Sequence, residues 1–143
     1  MESEFRYFEM SREEREALLR ALAERLESER GIVFAYVHGG FVERSFFRDV
    51  DVAVWVEDEE RAFYYTVDLS ARMESELGVP VDVQVLNGAP IPFRYWVFTR
   101  GRLLFSRDEG LRARVEDAAI RMYLDFREFL RSLGLDRRPT TSP

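Results

Sequence analysis

The chain has 143 residues, 46% of them hydrophobic, which suits one domain with its own core and leaves too little for a second. Its formal net charge is −6, so we expect no strong binding of nucleic acid through the phosphates. The sequence contains no cysteine and no lysine, and its single histidine is His38. These absences exclude thiolate metal sites, Schiff-base chemistry and sites that need two imidazoles from one chain. Catalysis would have to rely on carboxylates, hydroxyls and arginines.

The sequence also predicts a location and a domain boundary. It has no apolar run of the roughly 18 residues that a membrane span requires, and its acidic start differs from a signal peptide. We therefore expect a cytoplasmic protein without membrane contact. The predicted organisation is a single domain over residues 1–135 and a mobile C-terminal tail over residues 136–143.

The first half of the chain predicts a helix followed by two strands. Ser11 and Glu14 form a capping-box pattern, and leucines at helical spacing follow until Gly31, which is typical of an amphipathic helix. Residues 32–38 form an apolar run between glycines and are predicted as a buried strand. Every second residue from 50 to 56 is valine, and this alternation predicts a second strand.

The second half predicts two further helix and strand pairs and a long last helix. In order, these are a helix over residues 60–77, a strand over 81–85, a short helix over 92–101, a brief strand over 103–105 and the last helix. Ser106 and Glu109 give the last helix a second capping-box pattern, and Gly134 ends it.

This order of elements predicts an α+β fold with a small mixed sheet. About a dozen residues without a helical pattern join the first two strands, so these strands should be antiparallel. The third strand returns through a helix and can lie parallel to the second. The helices are expected to pack on one face of the sheet, against the valines.

Three aspartates are expected on the opposite face of the sheet. Side chains alternate across a strand, so Asp49 and Asp51 point to one side, and Asp82 and Gln84 point away from the valines of the third strand. Three carboxylates on one surface repel each other, and a divalent cation relieves that repulsion. Hard oxygen ligands suit Mg²⁺ or Mn²⁺.

The segment before the second strand offers groups for an anionic ligand. Gly39 and Gly40 end the first strand, where backbone N–H groups can approach phosphate oxygens; the simpler interpretation is a turn that needs positive φ. Arg44 and Arg48 can contact a triphosphate, although arginine is common throughout this chain. His38 is interpreted as a hydrogen-bonded structural residue, with a catalytic base as the alternative.

Two segments together resemble the Gly-Ser and Asp-x-Asp signature of minimal nucleotidyltransferases of the polymerase β type. The first, which carries that signature, is Val37-His38-Gly39-Gly40, followed after eight residues by Asp49-Val50-Asp51. The second, Val81-Asp82-Val83, looks like the strand that carries the family's third carboxylate. The resemblance implies a polymerase β-like fold that binds a nucleoside triphosphate and Mg²⁺. Some such domains are antitoxins that adenylylate a tyrosine of a partner HEPN ribonuclease.

The resemblance implies a role for each candidate residue. Asp49 and Asp51 would bridge two metal ions, and Asp82 would hold the catalytic metal and help to deprotonate the acceptor. The nucleotide-binding candidates are Gly39, Gly40, Arg44 and Arg48. The chain would then transfer a nucleoside monophosphate, most simply AMP from ATP, to an acceptor hydroxyl.

A second hypothesis is an antitoxin-like module that binds a partner and forms no product. Gly40 stands where the family usually has serine, and the loop to Asp49 is short by about two residues against the family pattern; both differences favour this alternative. In the last helix, Tyr123, Phe126 and Phe129 are interpreted as core, with a face for a second copy or a partner protein as the alternative. A nuclease is disfavoured by the negative charge.

Overall fold

The structure of the protein is a computed structural model that describes residues 7–135. The predicted tail, residues 136–143, and the first six residues of the predicted domain lie outside this part. The helices are α1 (Arg12–Glu27), α2 (Gly40–Glu43), α3 (Ser70–Leu77), α4 (Ile91–Arg100) and α5 (Glu109–Ser132). The strands are β1 (Phe8–Glu9), β2 (Ile32–His38), β3 (Phe46–Phe47), β4 (Val50–Val56), β5 (Val81–Val85) and β6 (Arg102–Ser106).

Four of the strands form one mixed sheet in the order β5-β4-β2-β6. Strand β2 is antiparallel to both β4 and β6, whereas β4 and β5 are parallel. The antiparallel pairing predicted for β2 and β4 and the parallel pairing predicted for β4 and β5 are therefore confirmed. Strands β1 and β3 form a separate antiparallel pair, which the sequence did not predict because each has only two residues.

The valine face of the sheet carries the larger core. The alternating valines of β4 are at most 1% exposed, and they pack with the leucines of α1 and with Met73 of α3. Burial of about 1.5–3 kcal/mol per large aliphatic side chain makes this face the main source of stability. The capping box that starts α1 is confirmed, since Ser11 Oγ accepts from the Glu14 amide at 3.1 Å and Glu14 accepts from the Ser11 amide at 2.7 Å.

The predicted fold class is confirmed, but the placement of the helices differs in one respect. Helices α1 and α3 lie on the valine face as expected, while α4 and α5 cover part of the other face through a second core. Phe34, Tyr36 and Ala53 belong to that second core and are at most 4% exposed. The uninterrupted apolar run of β2 is the physical reason, because a strand covered on both faces has no polar alternation.

Three local details differ from the sequence-based expectation. The helix predicted over residues 60–77 consists of a 3₁₀ turn (Glu59–Arg61), a π-helical segment (Tyr64–Leu69) and α3. The last helix is capped by Asp108, whose side chain accepts from the Leu111 amide at 3.0 Å, because Ser106 still belongs to β6. The connection from β2 to β4 contains the short helix α2, which is a single turn.

Within residues 7–135, no helix combines the length and the apolar character that crossing a bilayer requires.

Candidate active site

Two strand pairings bring the polar residues of the sheet together. In the parallel pair β4 and β5, Asp51 is in register with Asp82, and in the antiparallel pair β2 and β4, His38 is opposite Asp51. Residues in register on adjacent strands point to the same face. Asp51, Asp82 and His38 therefore share the face opposite the valines, and Asp49 lies two residues before Asp51, just outside the strand.

The side chain of Gln84 joins these groups. Its Nε2 donates to Asp51 Oδ1 at 3.1 Å and to Asp82 Oδ2 at 2.8 Å, and its Oε1 lies 2.7 Å from His38 Nε2. Because the amide oxygen can only accept, His38 carries a proton on Nε2. The interpretation of His38 as a hydrogen-bonded structural residue is confirmed, and a polar link runs from it to both carboxylates.

The environment of Asp51 disfavours its charged form. Burial raises the pKa of the Asp51 carboxyl above its ordinary value, and the nearby carboxylates of Asp49 and Asp82 raise it further. His38 and the hydrogen bond from Gln84 act in the opposite direction. The neighbouring carboxylates on this face thus repel each other, and a cation would relieve that electrostatic cost.

The turn before α2 approaches the carboxylate of Asp51 closely. Gly39 has φ of 79°, in the left-handed region, and a Cβ there would lie 2.5 Å from Asp51 Oδ2. Only glycine meets both conditions without strain. The predicted turn with positive φ is confirmed. The contact of Gly39 and Gly40 with phosphate remains a prediction.

Two cavities flank the carboxylates and share Gly40 and Arg44 as a common wall. One, of about 360 Å³, is lined by Asp49 and Asp51 together with Arg48. The other, of about 250 Å³, is lined by His38 and Gly39 and by residues of α4. The structure thus gathers every predicted site residue around one end of β4, with Asp82 outside both linings, exposed on the adjacent strand.

Aromatic residues complete the walls of both cavities. Tyr7 and Phe46 pack edge to face at 5.5 Å beside the aspartates, and Phe93 packs against His38 in the other cavity. Tyr95 of α4 stacks on Tyr123 of α5 at 4.0 Å.

Arg15 of α1 is a supporting residue that the sequence did not reveal. Its guanidinium donates to the carbonyl oxygens of Phe41 and Arg44, the latter at 2.8 Å, and it lies over the ring of Phe41. These contacts fix the loop that carries Arg44. The two partners are 26 and 29 residues away along the chain, so no local pattern signals the interaction.

The residues present suit a divalent cation chemically. Carboxylate oxygens are the preferred ligands of Mg²⁺ and Mn²⁺, and Asp51 in register with Asp82 supplies two of them on one face. Across residues 7–135, no three acidic or histidine side chains stand in an arrangement that could hold a metal ion directly. The two carboxylates are turned to the amide of Gln84 instead.

A mixed sheet that pairs aspartates on adjacent parallel strands beside a glycine turn places the protein in the class of nucleotidyltransferase-like domains. Residues 20–110 match the family described as Polymerase beta, Nucleotidyltransferase. This match spans more than half of the chain, and the chain belongs to that family. The resemblance seen in the sequence is confirmed.

Solved structures show the same fold at low sequence identity. The toxin-antitoxin MntA-HepT contains a chain 18% identical, with a TM-score of 0.63 over 82% of this chain and 94% of the other. The tri-AMPylated Shewanella oneidensis HEPN toxin in complex with MNT antitoxin gives 18% and 0.64 over 83% and 94%. A toxin-antitoxin with AMP-PNP gives 18% and 0.63 over 81% and 94%. No curated protein sequence matches the chain.

Proposed function

We propose that this protein is a Mg²⁺-dependent nucleotidyltransferase that transfers AMP from ATP to an acceptor hydroxyl, namely a tyrosine of a HEPN-type partner protein. The observation that carries the proposal is the register of Asp51 with Asp82 on adjacent parallel strands. It gives a small domain two carboxylates on one face, next to a glycine turn and arginines. Membership of the nucleotidyltransferase family and the fold shared with toxin-antitoxin structures support it.

Each candidate residue has a role in this reaction. Asp49, Asp51 and Asp82 are the residues that would hold the metal, which supplies charge stabilisation to the phosphoryl group when bound. The acceptor oxygen bonds to the α-phosphorus, the bond from that phosphorus to the bridging oxygen breaks, and pyrophosphate leaves. Asp82, exposed at the edge of the site, accepts the proton from the acceptor hydroxyl.

The phosphate groups are expected in the cavity that the two aspartates line. Arg44 and Arg48 line it as well, and their planar guanidinium groups suit phosphate oxygens. The backbone amides of Gly39 and Gly40 can approach a phosphate without obstruction by side chains. Arg15 contributes indirectly, because it holds the loop that carries Arg44.

The proposal is tested by transfer of label from ATP labelled on the α-phosphate to a HEPN-type partner in the presence of Mg²⁺. We expect transfer by the wild type and none by Asp82→Asn. This variant removes a charge at an exposed position, so it should unfold at the same temperature as the wild type or higher. Full transfer by folded Asp82→Asn contradicts the proposal.

A binding module without catalysis is the second candidate, favoured by one observation. Gly40 brings no hydroxyl to the wall that both cavities share, so one contact to the triphosphate is absent. In that case the protein neutralises a basic partner through its acidic charge. Tight binding to the partner without transfer of label identifies this alternative.

We propose that the partner docks on the exposed face of α5. Four large apolar side chains follow each other at intervals of four, three and four residues, which places them on one side of the helix. They are Met122, Phe126, Phe129 and, at the C-cap, Leu133, between 48% and 57% exposed. The interpretation of Phe126 and Phe129 as core is therefore wrong. A second copy of the chain is the alternative occupant, and the two are separated by the mass of the assembly with and without partner.

A further inference from the structure

The amide of Gln84 bridges two carboxylates that lie on the same face of adjacent strands. Its two N–H groups are directed at Asp51 and Asp82, with donor to acceptor distances of 3.1 and 2.8 Å. The opposite orientation of the amide is excluded, because it would place an oxygen against two carboxylate oxygens. Gln84 thus supplies partial positive charge at the point where the two aspartates converge.

His38 fixes this orientation. The imidazole Nε2–H donates to the amide oxygen at 2.7 Å, so both polar ends of the Gln84 side chain have partners. The ring is itself packed edge to face against Phe93. A half-buried side chain with all its hydrogen bonds satisfied is held in one rotamer.

We propose that Gln84 is a positioning residue that keeps the metal site closed in the metal-free protein. While its amide bonds to Asp51 Oδ1 and Asp82 Oδ2, one oxygen of each carboxylate is occupied and the pair is held in an orientation set by Gln84 and not by a shared cation. Gln84 has to break two charge-assisted hydrogen bonds and rotate away before divalent metal binds, and His38 opposes that rotation. This inference rests on the proposed function for the assignment of Asp51 and Asp82 as metal ligands.

The inference predicts an inverse relation between stability and metal affinity. Gln84→Met keeps the length of the side chain and removes the amide. In EDTA the two carboxylates of this variant repel without a bridge, so its melting temperature falls below that of the wild type. Mn²⁺ should bind about tenfold more tightly, because hydrogen bonds to charged groups no longer have to be broken first.

The experiment measures the Mn²⁺ dissociation constant by electron paramagnetic resonance and the melting temperature in EDTA. The second test variant is His38→Phe, which retains the ring against Phe93 but frees the Gln84 amide; about threefold tighter Mn²⁺ binding is expected. It also carries the test if Gln84→Met does not fold.

A matched control is Ser70 of α3, which contacts the backbone of the same strand. Ser70 Oγ accepts a hydrogen bond from the Val83 amide at 2.9 Å, so Ser70→Ala also destabilises β5 and leaves the carboxylates alone. It should lower the melting temperature without changing Mn²⁺ affinity.

The outcomes separate this inference from the proposed function. Equal or weaker Mn²⁺ binding by both test variants, with binding by the wild type intact, overturns the role of Gln84 and leaves the transferase proposal in place. Detectable Mn²⁺ binding by Gln84→Met, with none by the wild type, supports the inference in its strongest form. No Mn²⁺ binding by any variant overturns both, since Asp51 and Asp82 are then not metal ligands.

Discussion

The backbone of Gly39 lies against the carboxylate of Asp51. A Cβ at position 39 would be 2.5 Å from Asp51 Oδ2 and 3.3 Å from its Cγ, and the residue has φ of 79°. Both the turn geometry and the position of Asp51 therefore depend on the absence of a side chain at position 39. The turn at Gly39 and the carboxylate of Asp51 form one packed unit.

Gly39→Ala should destabilise the protein and displace Asp51. We expect a loss of about 1–3 kcal/mol in the free energy of unfolding from the left-handed backbone and the steric contact together, measured by urea denaturation. Gly40→Ala is the matched control, because the nearest atom to a Cβ there is Arg44 Nη1 at 4.0 Å. Equal stability of the two variants would refute the steric coupling.

Gly40→Ser should increase transfer activity. The space at position 40 accepts a side chain, and a hydroxyl there would restore the contact that the family usually makes with the triphosphate. One added hydrogen bond of about 0.5–1.5 kcal/mol corresponds to a gain of roughly two- to tenfold in kcat/KM for ATP. The rate of label transfer is compared with that of Gly40→Ala, which adds the volume without the hydroxyl. A gain shared by both variants would exclude a role of the hydroxyl.

The sequence was most informative where a periodic pattern met a short motif. The valine alternation of β4 and β5 predicts both strands with their correct bounds, and the parity of Asp51 and Asp82 predicts that they share a face. The register that makes them neighbours, Asp51 beside Asp82, is a tertiary property. A helical crossover between two strands permits them to pair in parallel, but it does not require this pairing or fix its register.

The remaining features depend on contacts distant in sequence. The half-buried Gln84 appears in the sequence as an ordinary polar strand residue, and its bonds to His38 and Asp51 span 46 and 33 residues. The π-helical segment before α3 has only six residues, too few for a hydrophobic pattern to distinguish it from an α-helix. The coverage of both faces of β2 had a signal, the unbroken apolar run, but that pattern also suits other buried strands.

The exposed face of α5 should affect partner binding without affecting the fold. Phe126 and Phe129 are 48% and 57% exposed, so replacing both with serine removes apolar surface from solvent and should leave the melting temperature unchanged. We expect at least about a tenfold loss of affinity for a HEPN-type partner in titration calorimetry, since buried aromatics dominate interface energies. Phe63→Ser is the control, because Phe63 is 71% exposed on a different segment. Loss of affinity in the control alone would place the interface elsewhere.

The hydrogen bond between Arg112 and Tyr36 ties α5 to the centre of the sheet and should make stability depend on pH in the alkaline range. Arg112 Nη1 donates to the Tyr36 hydroxyl at 2.7 Å, and Tyr36 is 4% exposed. Burial raises the pKa of Tyr36 above its ordinary value of 10.0, although Arg112 opposes the effect. A group whose pKa is higher in the folded state contributes stability that is complete below the unfolded pKa and is lost as the pH rises through the folded pKa.

Tyr36→Phe isolates this contribution. Below pH 10, the wild type should be more stable than the variant by about 1.5 kcal/mol, the low end of the range for one hydrogen bond to a charged group. Above pH 10 the difference should shrink, because ionisation of Tyr36 then favours the unfolded chain. The measurement is the free energy of unfolding in urea from pH 8 to 11.5, with tyrosinate absorbance recorded in parallel. A difference that stays constant over this range would mean that the folded environment does not raise the pKa of Tyr36.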